Sequence, residues 1–382
     1  MKKTLLALAA LGACTGPALA AGNVQLYGVI DLGVTHFNGI ANGANGTASV
    51  SKLSSGVQSP SVIGIKGVEP LGGGIAAIFD IETGFCASGT SQDTKAPGGY
   101  CVGGGFMQSR TWAAIKGPWG AIAGGRDMTR MYKNEVRFDP FGAGTTGAYT
   151  NLSIVNQYGL SRLSQGVVYI SPEMHGVVGS LSYSFAPGAA GAVPGTTPSS
   201  SRVSRSLGAN ATYTHGPLVL AFAYAEVTNL RLPAMLNPVS GVNDGTLSVW
   251  QLGASYDFRV ATLSALYEQA KADYNSGNAR SMVIGVRIPV GAGSVLASFA
   301  EANTDYGMRK INLLGTAMYG TAMQYAIGYS YSLSKQTNLY ASYAHIGNDP
   351  TTNFAVGSAT DAFVGTMGQS SDGVAVGLRH SF

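Results

Sequence analysis

Apolar side chains recur at every second position in segment after segment of this chain. In the last segment, Val374, Val376 and Leu378 share one parity with the final residue, Phe382, and small or polar residues mostly lie between them. The same alternation recurs in four other segments: 24–35, 177–185, 281–288 and 323–332. A period of two is typical of a β-strand with one apolar and one polar face. The pattern therefore predicts an all-β chain.

The connections between the predicted strands take turns between short and long. The short ones lie at 69–74, 116–120, 171–176, 215–217, 257–260, 289–293 and 333–337. The long, polar ones lie around 38–59, 86–105, 130–163, 187–203, 228–245, 269–279, 302–322 and 347–371. About sixteen strands fall between these connections, and an even number with tight turns on one side is typical of an outer-membrane barrel.

Charged residues are scarce, at 11% of the chain, whereas about 25% is usual in soluble domains. After the leader, no stretch approaches the ~20 apolar residues of a membrane helix. A bilayer admits only helices or closed barrels, because backbone polar groups must be satisfied inside it. We therefore predict a sixteen-stranded antiparallel transmembrane β-barrel, apolar outside and hydrated within. A soluble β core is the alternative.

The first 20 residues have the features of a secretory signal peptide. A basic start at Lys2 and Lys3 leads into a short apolar run that ends in an Ala-x-Ala site at Ala18 and Ala20. We expect residues 1–20 to be removed and residues 21–382 to form a single barrel domain. Cleavage leaves 21 basic and 19 acidic residues, a net charge of +2. A balance of that size does not predict binding to nucleic acid. A lipoprotein site at Cys14 is the alternative.

Aromatic residues cluster near both ends of the predicted strands, where the two membrane interfaces favour them. Those near the short turns are Tyr169, Tyr213, Phe258, Tyr331 and Phe382. Those near the long loops are Phe37, Phe85, Phe185, Tyr224, Trp250, Tyr267 and Tyr343. The last strand must pair with the first, because closure removes the sheet edges. Phe382 is then expected in the aromatic girdle on the side of the short turns.

Six segments resemble the general porins of Gram-negative outer membranes, of the beta-proteobacterial type. They are VQLYGVIDLG at the start, IGIKGVEPLGGGIAAIFDIETGF at 63–85, SRTWAAIKGPWGAIAGGRD at 109–127, GVVYISPEMHGVVGSLSYSF at 166–185, YSLSKQTNLYASYA at 331–344 and VGLRHSF at the end. The resemblance implies a homotrimer whose third loop folds into the pore. It also implies that Phe382 is an assembly signal read by the outer-membrane assembly machinery. Further expected partners are outer-membrane lipid and lipopolysaccharide.

One position departs from the family pattern. Family members usually carry an Arg on the second strand, where this chain has Val62. One positive charge of the expected basic wall is therefore missing. The basic residues that remain predict a mild preference for anions.

The most charged segment, 125–142, opens the third long loop. Its basic residues recur at spacings of four, three and four, which would place them on one face of a short helix. We predict a pore constriction lined by Arg110, Arg126, Asp127, Arg130, Lys133, Glu135, Arg137, Asp139, Arg287 and Arg379. Facing rows of charge select ions by their field and by the gap between them. A solvated loop face with local ion pairs is the alternative.

Several strand carboxylates are candidate partners for these cations. Asp31, Asp80 and Glu82 lie on predicted strands and could pair with Arg110, Arg126 and Arg379 across the lumen. The small residues of 112–125 have two interpretations. On the outside they would let another subunit approach closely, and on the inside they would make room for the third loop.

Cys86 and Cys101 lie in the second long loop and predict a disulfide, because an even pair in an exported chain is usually oxidised. Two free thiols are the alternative. The five histidines are spread along the chain, so no metal site is predicted. The GAGTTG segment at 142–147 does not open a helix within a βαβ unit, so no cofactor is predicted.

The predicted function is a passive, water-filled channel for ions and small hydrophilic solutes, with no catalytic residues. A substrate-specific channel that uses lumen aromatics such as Tyr27 and Tyr340 is the first alternative. A barrel enzyme would need a base near the external rim, where only His36 and His345 stand. An adhesin or structural barrel is the remaining alternative.

Overall fold

A computed structural model describes residues 23–42, 46–88, 109–185, 205–228, 246–273, 277–305, 310–311 and 317–382. The predicted signal peptide and Cys101 lie outside the described residues. None of the helices among the described residues is long and apolar enough to cross a membrane.

The described residues are mostly strands. The strands are β1 Asn23–Asn42, β2 Gly46–Ser55, β3 Val62–Gly72, β4 Ile75–Gly84, β5 Arg110–Gly117, β6 Gly120–Met128, β7 Arg162–Ile170, β8 Val177–Ser184, β9 Arg205–His215, β10 Leu218–Thr228, β11 Leu247–Asp257, β12 Thr262–Ala272, β13 Gly277–Val290, β14 Gly293–Thr304, β15 Lys310–Ile311, β16 Ala317–Met318, β17 Gly320–Ser332, β18 Thr337–Asn348 and β19 Ser371–Ser381. The helices are α1 Arg130–Phe138, a 3-10 turn Tyr149–Asn151 and α2 Ile154–Gln157.

Seventeen of these strands form one antiparallel sheet that closes on itself, while β15 and β16 form a separate small ladder. β2 and β3 both pair with the same edge of β1, β2 along residues 32–42 and β3 along residues 23–29. They therefore occupy one position in the barrel, interrupted at residues 56–61. The barrel has sixteen strand positions, as predicted.

The first and last strands meet at the seam of the barrel. β1 pairs with β19 from Val29–Ser381 to Asn38–Asp372. Gly28 and Phe382 exchange two backbone hydrogen bonds of 3.0 Å. A Cβ on Gly28 would lie 2.4 Å from the Phe382 ring, so only glycine leaves room for the ring there. The predicted pairing of the first strand with the last is confirmed.

The strands alternate between an apolar outer face and a polar inner face. Val34, Leu181 and Ile327 point outward and are 63%, 60% and 56% exposed. Thr35 and Gln324, one position away in parity, are fully buried inside the barrel. The outward positions are the apolar positions of the alternation in the sequence, because each strand must offer apolar groups to lipid and polar groups to the lumen.

Phe37 is not part of an outer aromatic girdle, contrary to the sequence prediction. It shares the inward parity of Thr35, is fully buried, and packs against Phe363 with ring centroids 4.8 Å apart. The prediction failed because closeness to a loop does not decide which face of the strand carries a ring. A residue's parity decides that.

Among the connections that the structure describes, three turn into the lumen. The segment 129–161, called loop 3 below, lies inside the barrel. The connection 56–61 bends inward between β2 and β3. The last long connection, 349–370, also folds inward, since Val356 is fully buried and the Gly357 N–H donates to Asn151 Oδ1 of loop 3 over 3.1 Å. The expected first long loop is largely strand, because β1 runs to Asn42 and β2 begins at Gly46.

Candidate pore constriction

The two ends of loop 3 are tied together where it leaves the wall. The Thr129 N–H donates to Ser161 O over 3.1 Å, and the Thr129 hydroxyl donates to Leu160 O over 2.7 Å. The same hydroxyl accepts the Tyr132 N–H over 3.2 Å and caps the first turn of α1. Because of these bonds, α1 starts at a fixed place and angle relative to β6 and β7.

Helix α1 has one basic face and one buried face. Met131, Asn134, Glu135 and Phe138 are buried on the side that packs against β10, β11 and β12. The basic residues Arg130, Lys133 and Arg137 fall on the other side, because positions three and four apart share a helix face. The predicted clustering therefore applies to three of the four basic residues.

Arg126, the first of the four basic residues in this series, does not lie on the helix. It belongs to β6, and its guanidinium donates to Ser164 Oγ of the 162–170 strand, β7. The physical reason is that Thr129 caps the helix three residues further on. The predicted spacing thus bridges a strand and a helix.

The outer side of loop 3 is bound to inward polar residues of β11–β18, called the anchoring wall below. The contacts are Asn134 Nδ2 to Gln251 Oε1 at 3.3 Å, the Ile154 N–H to Glu268 Oε2 at 2.9 Å, the Tyr149 and Ser281 hydroxyls at 2.7 Å, Asn151 Nδ2 to Gln324 Oε1 at 2.9 Å, and the Thr146 and Ser342 hydroxyls at 2.8 Å. Arg287 also belongs to this wall, since its Nη2 donates to Pro140 O over 2.7 Å. These side chains position loop 3, and sequence reasoning assigned a role only to Arg287.

Two acidic residues of the charged segment lie behind the basic face. Glu135 is fully buried; burial raises its pKa well above the ordinary value, and nearby Glu268 raises it further. Asp139 accepts the backbone N–H groups of Phe141, Ala143 and Tyr149 over 3.0, 2.9 and 2.9 Å, and burial raises its pKa to about 6. Both serve the packing of the loop, so we do not place them on the pore surface.

The wall of β1, β4 and β5 carries a second charged group. Arg110 forms ion pairs with Glu82 at 2.7 Å and with Asp80 at 3.5 Å. The Tyr27 hydroxyl donates to Asp80 Oδ1 over 2.6 Å and also contacts Glu82 Oε2 at 3.1 Å. Lys66 Nζ lies 5.1 Å from the centroid of the Tyr27 ring. Two of the three strand carboxylates predicted to meet a wall cation, Asp80 and Glu82, therefore both meet Arg110.

Lys133 links the loop electrostatically to this wall. Its ammonium group forms an ion pair with Asp127. Burial lowers the pKa of Lys133 most, Asp127 opposes that shift, and the positive charges of Arg130 and Arg110 lower the pKa further. The positive charges of Lys133 on loop 3 and Arg110 on β5 therefore repel one another.

The inward connection 56–61 is held by one buried carboxylate. Asp31 accepts the N–H groups of Val57, Gln58 and Ser59 over 3.2, 3.0 and 2.8 Å. It also accepts the Tyr340 hydroxyl over 2.7 Å. The Asp31 carboxylate therefore accepts from backbone groups and a tyrosine hydroxyl. It forms none of the ion pairs with Arg110, Arg126 or Arg379 that the sequence suggested.

The connection 56–61 in turn touches loop 3 and β19. The Thr145 N–H donates to Val57 O over 2.7 Å, and a Cβ on Gly144 would lie 1.9 Å from Gln58 O. Arg379 Nε donates to Ser59 Oγ over 2.8 Å. The tip of loop 3 is thus fixed on a second side, away from the anchoring wall.

The small residues of 112–125 point both ways, because alternate residues of a strand face opposite sides. Inward Ala114, Ala121 and Ala123 line a cavity of about 340 Å³ under loop 3. Outward Ala113 lies in a groove of about 430 Å³ on the outer surface, beside exposed Ile115 and Ile122. Each of the two interpretations therefore applies to one face of the sheet.

Cys86 is disulfide-bonded. Its expected partner, Cys101, lies outside the described residues, so the pairing stays a prediction. Among the residues that the structure describes, no three His, Cys, Asp or Glu side chains are grouped as metal ligands would be.

Comparison with known proteins relates the chain to channels. The model of the family described as Gram-negative porin matches residues 7–351. An outer membrane porin protein of Bordetella pertussis is 29% identical over the full length of both chains. Outer membrane porin protein 32 of Delftia acidovorans is also 29% identical over both full lengths. The solved anion-selective porin from Comamonas acidovorans is 26% identical, with a TM-score of 0.75 over 94% of this chain and 100% of that one.

Proposed function

The chain belongs to the Gram-negative porin family, and on that premise we propose a homotrimeric outer-membrane channel that prefers small anions and performs no catalytic step. Its barrel spans the outer membrane and forms a passive, water-filled path for ions and small hydrophilic solutes. Selection in such a channel depends on pore size and on fixed charge.

The basic face of α1 is the observation that carries the anion preference. Arg130, Lys133 and Arg137 lie on the face of α1 that points away from the anchoring wall. Two of the three acidic residues of the charged segment, Glu135 and Asp139, are buried behind them, and the third, Asp127, pairs with Lys133. This arrangement supports an excess of positive charge on the lumen side of the loop, because that side keeps more cations than carboxylates.

The opposite wall adds little net negative charge. The carboxylates Asp80 and Glu82 are engaged by Arg110 and by the Tyr27 hydroxyl. Lys66 stands beside them. The relative from Comamonas acidovorans is an anion-selective porin, which supports the same sign here. Val62, where the family usually has Arg, keeps the expected preference mild.

Reversal potential under a KCl gradient tests the proposal. Refolded protein in a planar bilayer is expected to give a potential of the sign for chloride over potassium. Replacing Arg130, Lys133 and Arg137 by Ala should shift the potential towards cation preference, because the field at the loop loses three positive charges. Lys335→Ala, in the exposed turn between β17 and β18, is the matched control and should leave it unchanged. An unchanged potential in the triple variant would contradict the proposal.

The homotrimer is proposed to form at the outer groove of β4–β6. Ala113 is small and faces outward there, so a neighbouring subunit could approach closely. Ala113→Cys should crosslink between subunits under oxidation, whereas Ile284→Cys, exposed on β13, should not. If only Ile284→Cys crosslinks, the subunit interface lies near β13 and not at the groove of β4–β6.

Phe382 is proposed as the signal for the assembly machinery, and the apolar band as the surface that meets outer-membrane lipid and lipopolysaccharide. The Phe382 ring lies on the outside at the barrel end and is 46% exposed. Phe382→Ser should lower insertion in cells while leaving refolding in detergent nearly intact. If wild-type protein and Phe382→Ser insert equally well in cells, Phe382 is not the assembly signal.

A further inference from the structure

A recess opens from the lumen beneath the base of loop 3. Its cavity of about 340 Å³ lies between α1 and the inner face of β5–β10. The inward side chains of that wall are small, with Ala121 and Ala123 on β6, Gly166 and Val168 on β7, and Ala225 on β10. They leave a volume that no side chain fills.

The lining of the recess is largely apolar. Met131 of α1, Leu160 at the end of loop 3, Leu163 of β7 and Val227 of β10 are all buried against it. The ring of Trp112 forms part of the same surface. Water is poorly held at such a surface, because it needs several polar partners. A solute with an apolar body would be held better than a simple ion.

Polar groups converge at one side of the recess. Arg130, Lys133 and Arg162 line it, together with a single carboxylate, Asp127. Asp127 pairs with Lys133, so positive charge is in excess there. An anionic ligand is therefore favoured over a cation at this side of the recess.

We infer that this recess is a binding site for small organic anions with one apolar body, of the class of aromatic monocarboxylates. The carboxylate would meet Arg130 and Lys133, while the ring would lie against Ala123 and Val168. A few hundred cubic ångströms is the usual scale of small-ligand pockets, and it admits one ring with its carboxylate. The inference rests on the proposed anion-preferring channel and names the class of anion that it would favour.

Benzoate is the probe for this site, with acetate as the charge-matched anion that lacks the ring. Wild-type trimer in a planar bilayer with KCl should show benzoate reducing the chloride current at concentrations about tenfold lower than acetate, since the ring of benzoate leaves water when it binds. Isothermal titration in detergent should give the same order of affinity. Equal effects of benzoate and acetate would overturn the inference.

Two variants locate the effect. Ala123→Leu fills the recess without changing charge and should weaken the benzoate effect about tenfold, and chloride conductance reports that the barrel is intact. Val167→Leu, an outward neighbour on β7, is the matched enlargement and should change nothing. Wild-type affinity in Ala123→Leu would place benzoate elsewhere and overturn the inference.

The same experiments separate failure of the inference from failure of the proposed function. A wild-type barrel that gives no chloride steps would contradict the channel itself, whereas titration in detergent would still measure benzoate in the recess. A barrel that conducts chloride but treats benzoate as it treats acetate would leave the channel standing and remove only the site.

Discussion

On the β11–β18 side of the lumen the inward side chains are long and polar, whereas on the β5–β10 side many of them are Ala, Gly or Ser. Gln251, Glu268 and Gln324 are fully buried under loop 3, and each bonds to it or to a neighbour that does. Ala121 and Ala123 face the same lumen and border an open recess. Parity alone sends a side chain inward, and its length and hydrogen-bonding groups then decide whether a loop is held or a space remains.

The largest expected effect comes from removing an amide of the anchoring wall. Gln324 donates to Gly147 O and Ala148 O over 3.1 and 3.3 Å and accepts from Asn151. Gln324→Leu keeps the volume but leaves these buried groups unsatisfied, so the free energy of unfolding should fall by about 2–4 kcal/mol. Urea-dependent unfolding in detergent measures the loss, and current noise should rise as loop 3 loosens. A silent substitution would show that the loop is held mainly elsewhere.

The second expected effect tests the contact of loop 3 with the connection 56–61. Gly144→Ala introduces a Cβ that would lie 1.9 Å from Gln58 O, which is backbone and has little freedom to move. A cost of about 1–3 kcal/mol is expected, because overpacking forces the backbone apart. Gly72→Ala is a glycine control at a position with nothing within 4 Å, although its φ of +88° adds a backbone cost of its own. A larger loss at Gly144 than at Gly72 in the urea midpoint supports the contact.

A change of pH is expected to weaken the docking of loop 3 without removing any atom. The pKa values of Glu135 and Asp139 are raised in the docked loop, that of Asp139 to about 6. The docked state then binds more protons than the released loop, so its stability falls as pH rises above the ordinary carboxyl range, and the share due to Asp139 levels off above about pH 6. Protease cleavage within loop 3, measured from pH 4 to 8, should accelerate over this window. Glu135→Gln should flatten the profile, and an unchanged profile would exclude Glu135.

The smallest effect is expected on the β5–β10 side. The Ser182 hydroxyl has one long contact, 3.5 Å to Gly208 O. Ser182→Ala should therefore change the free energy of unfolding by less than about 0.5 kcal/mol. A loss as large as that of Gln324→Leu would erase the contrast between the two walls.

Much of the barrel could be predicted, because its signal is local and repeated. Apolar residues fall on alternate positions at Val374–Leu378 because each strand must present one face to lipid. The first and last strands pair because a barrel in a membrane can leave no open edge, and the alternation of short and long connections accompanies that closure. The basic face of α1 also follows from spacing, since Arg130, Lys133 and Arg137 are three and four residues apart.

The remaining features depend on contacts between residues far apart in the sequence. Asp31 binds Val57–Ser59 and Tyr340, and nothing in its own strand marks it as an acceptor for them. The inward fold of 349–370 and the burial of Glu135 likewise depend on what lies opposite. A loop rich in polar residues has the same composition whether it faces solvent or fills a lumen, so composition does not predict which place it takes.

The position of β1 at the seam has a consequence for how the protein is made. β1 pairs with β2 and β3 on one side and with β19 on the other, so its second edge stays open until β19 is in place. Until then, one row of β1 backbone groups can pair with other chains. Faster closure of the barrel should therefore reduce aggregation more than strengthening any single contact.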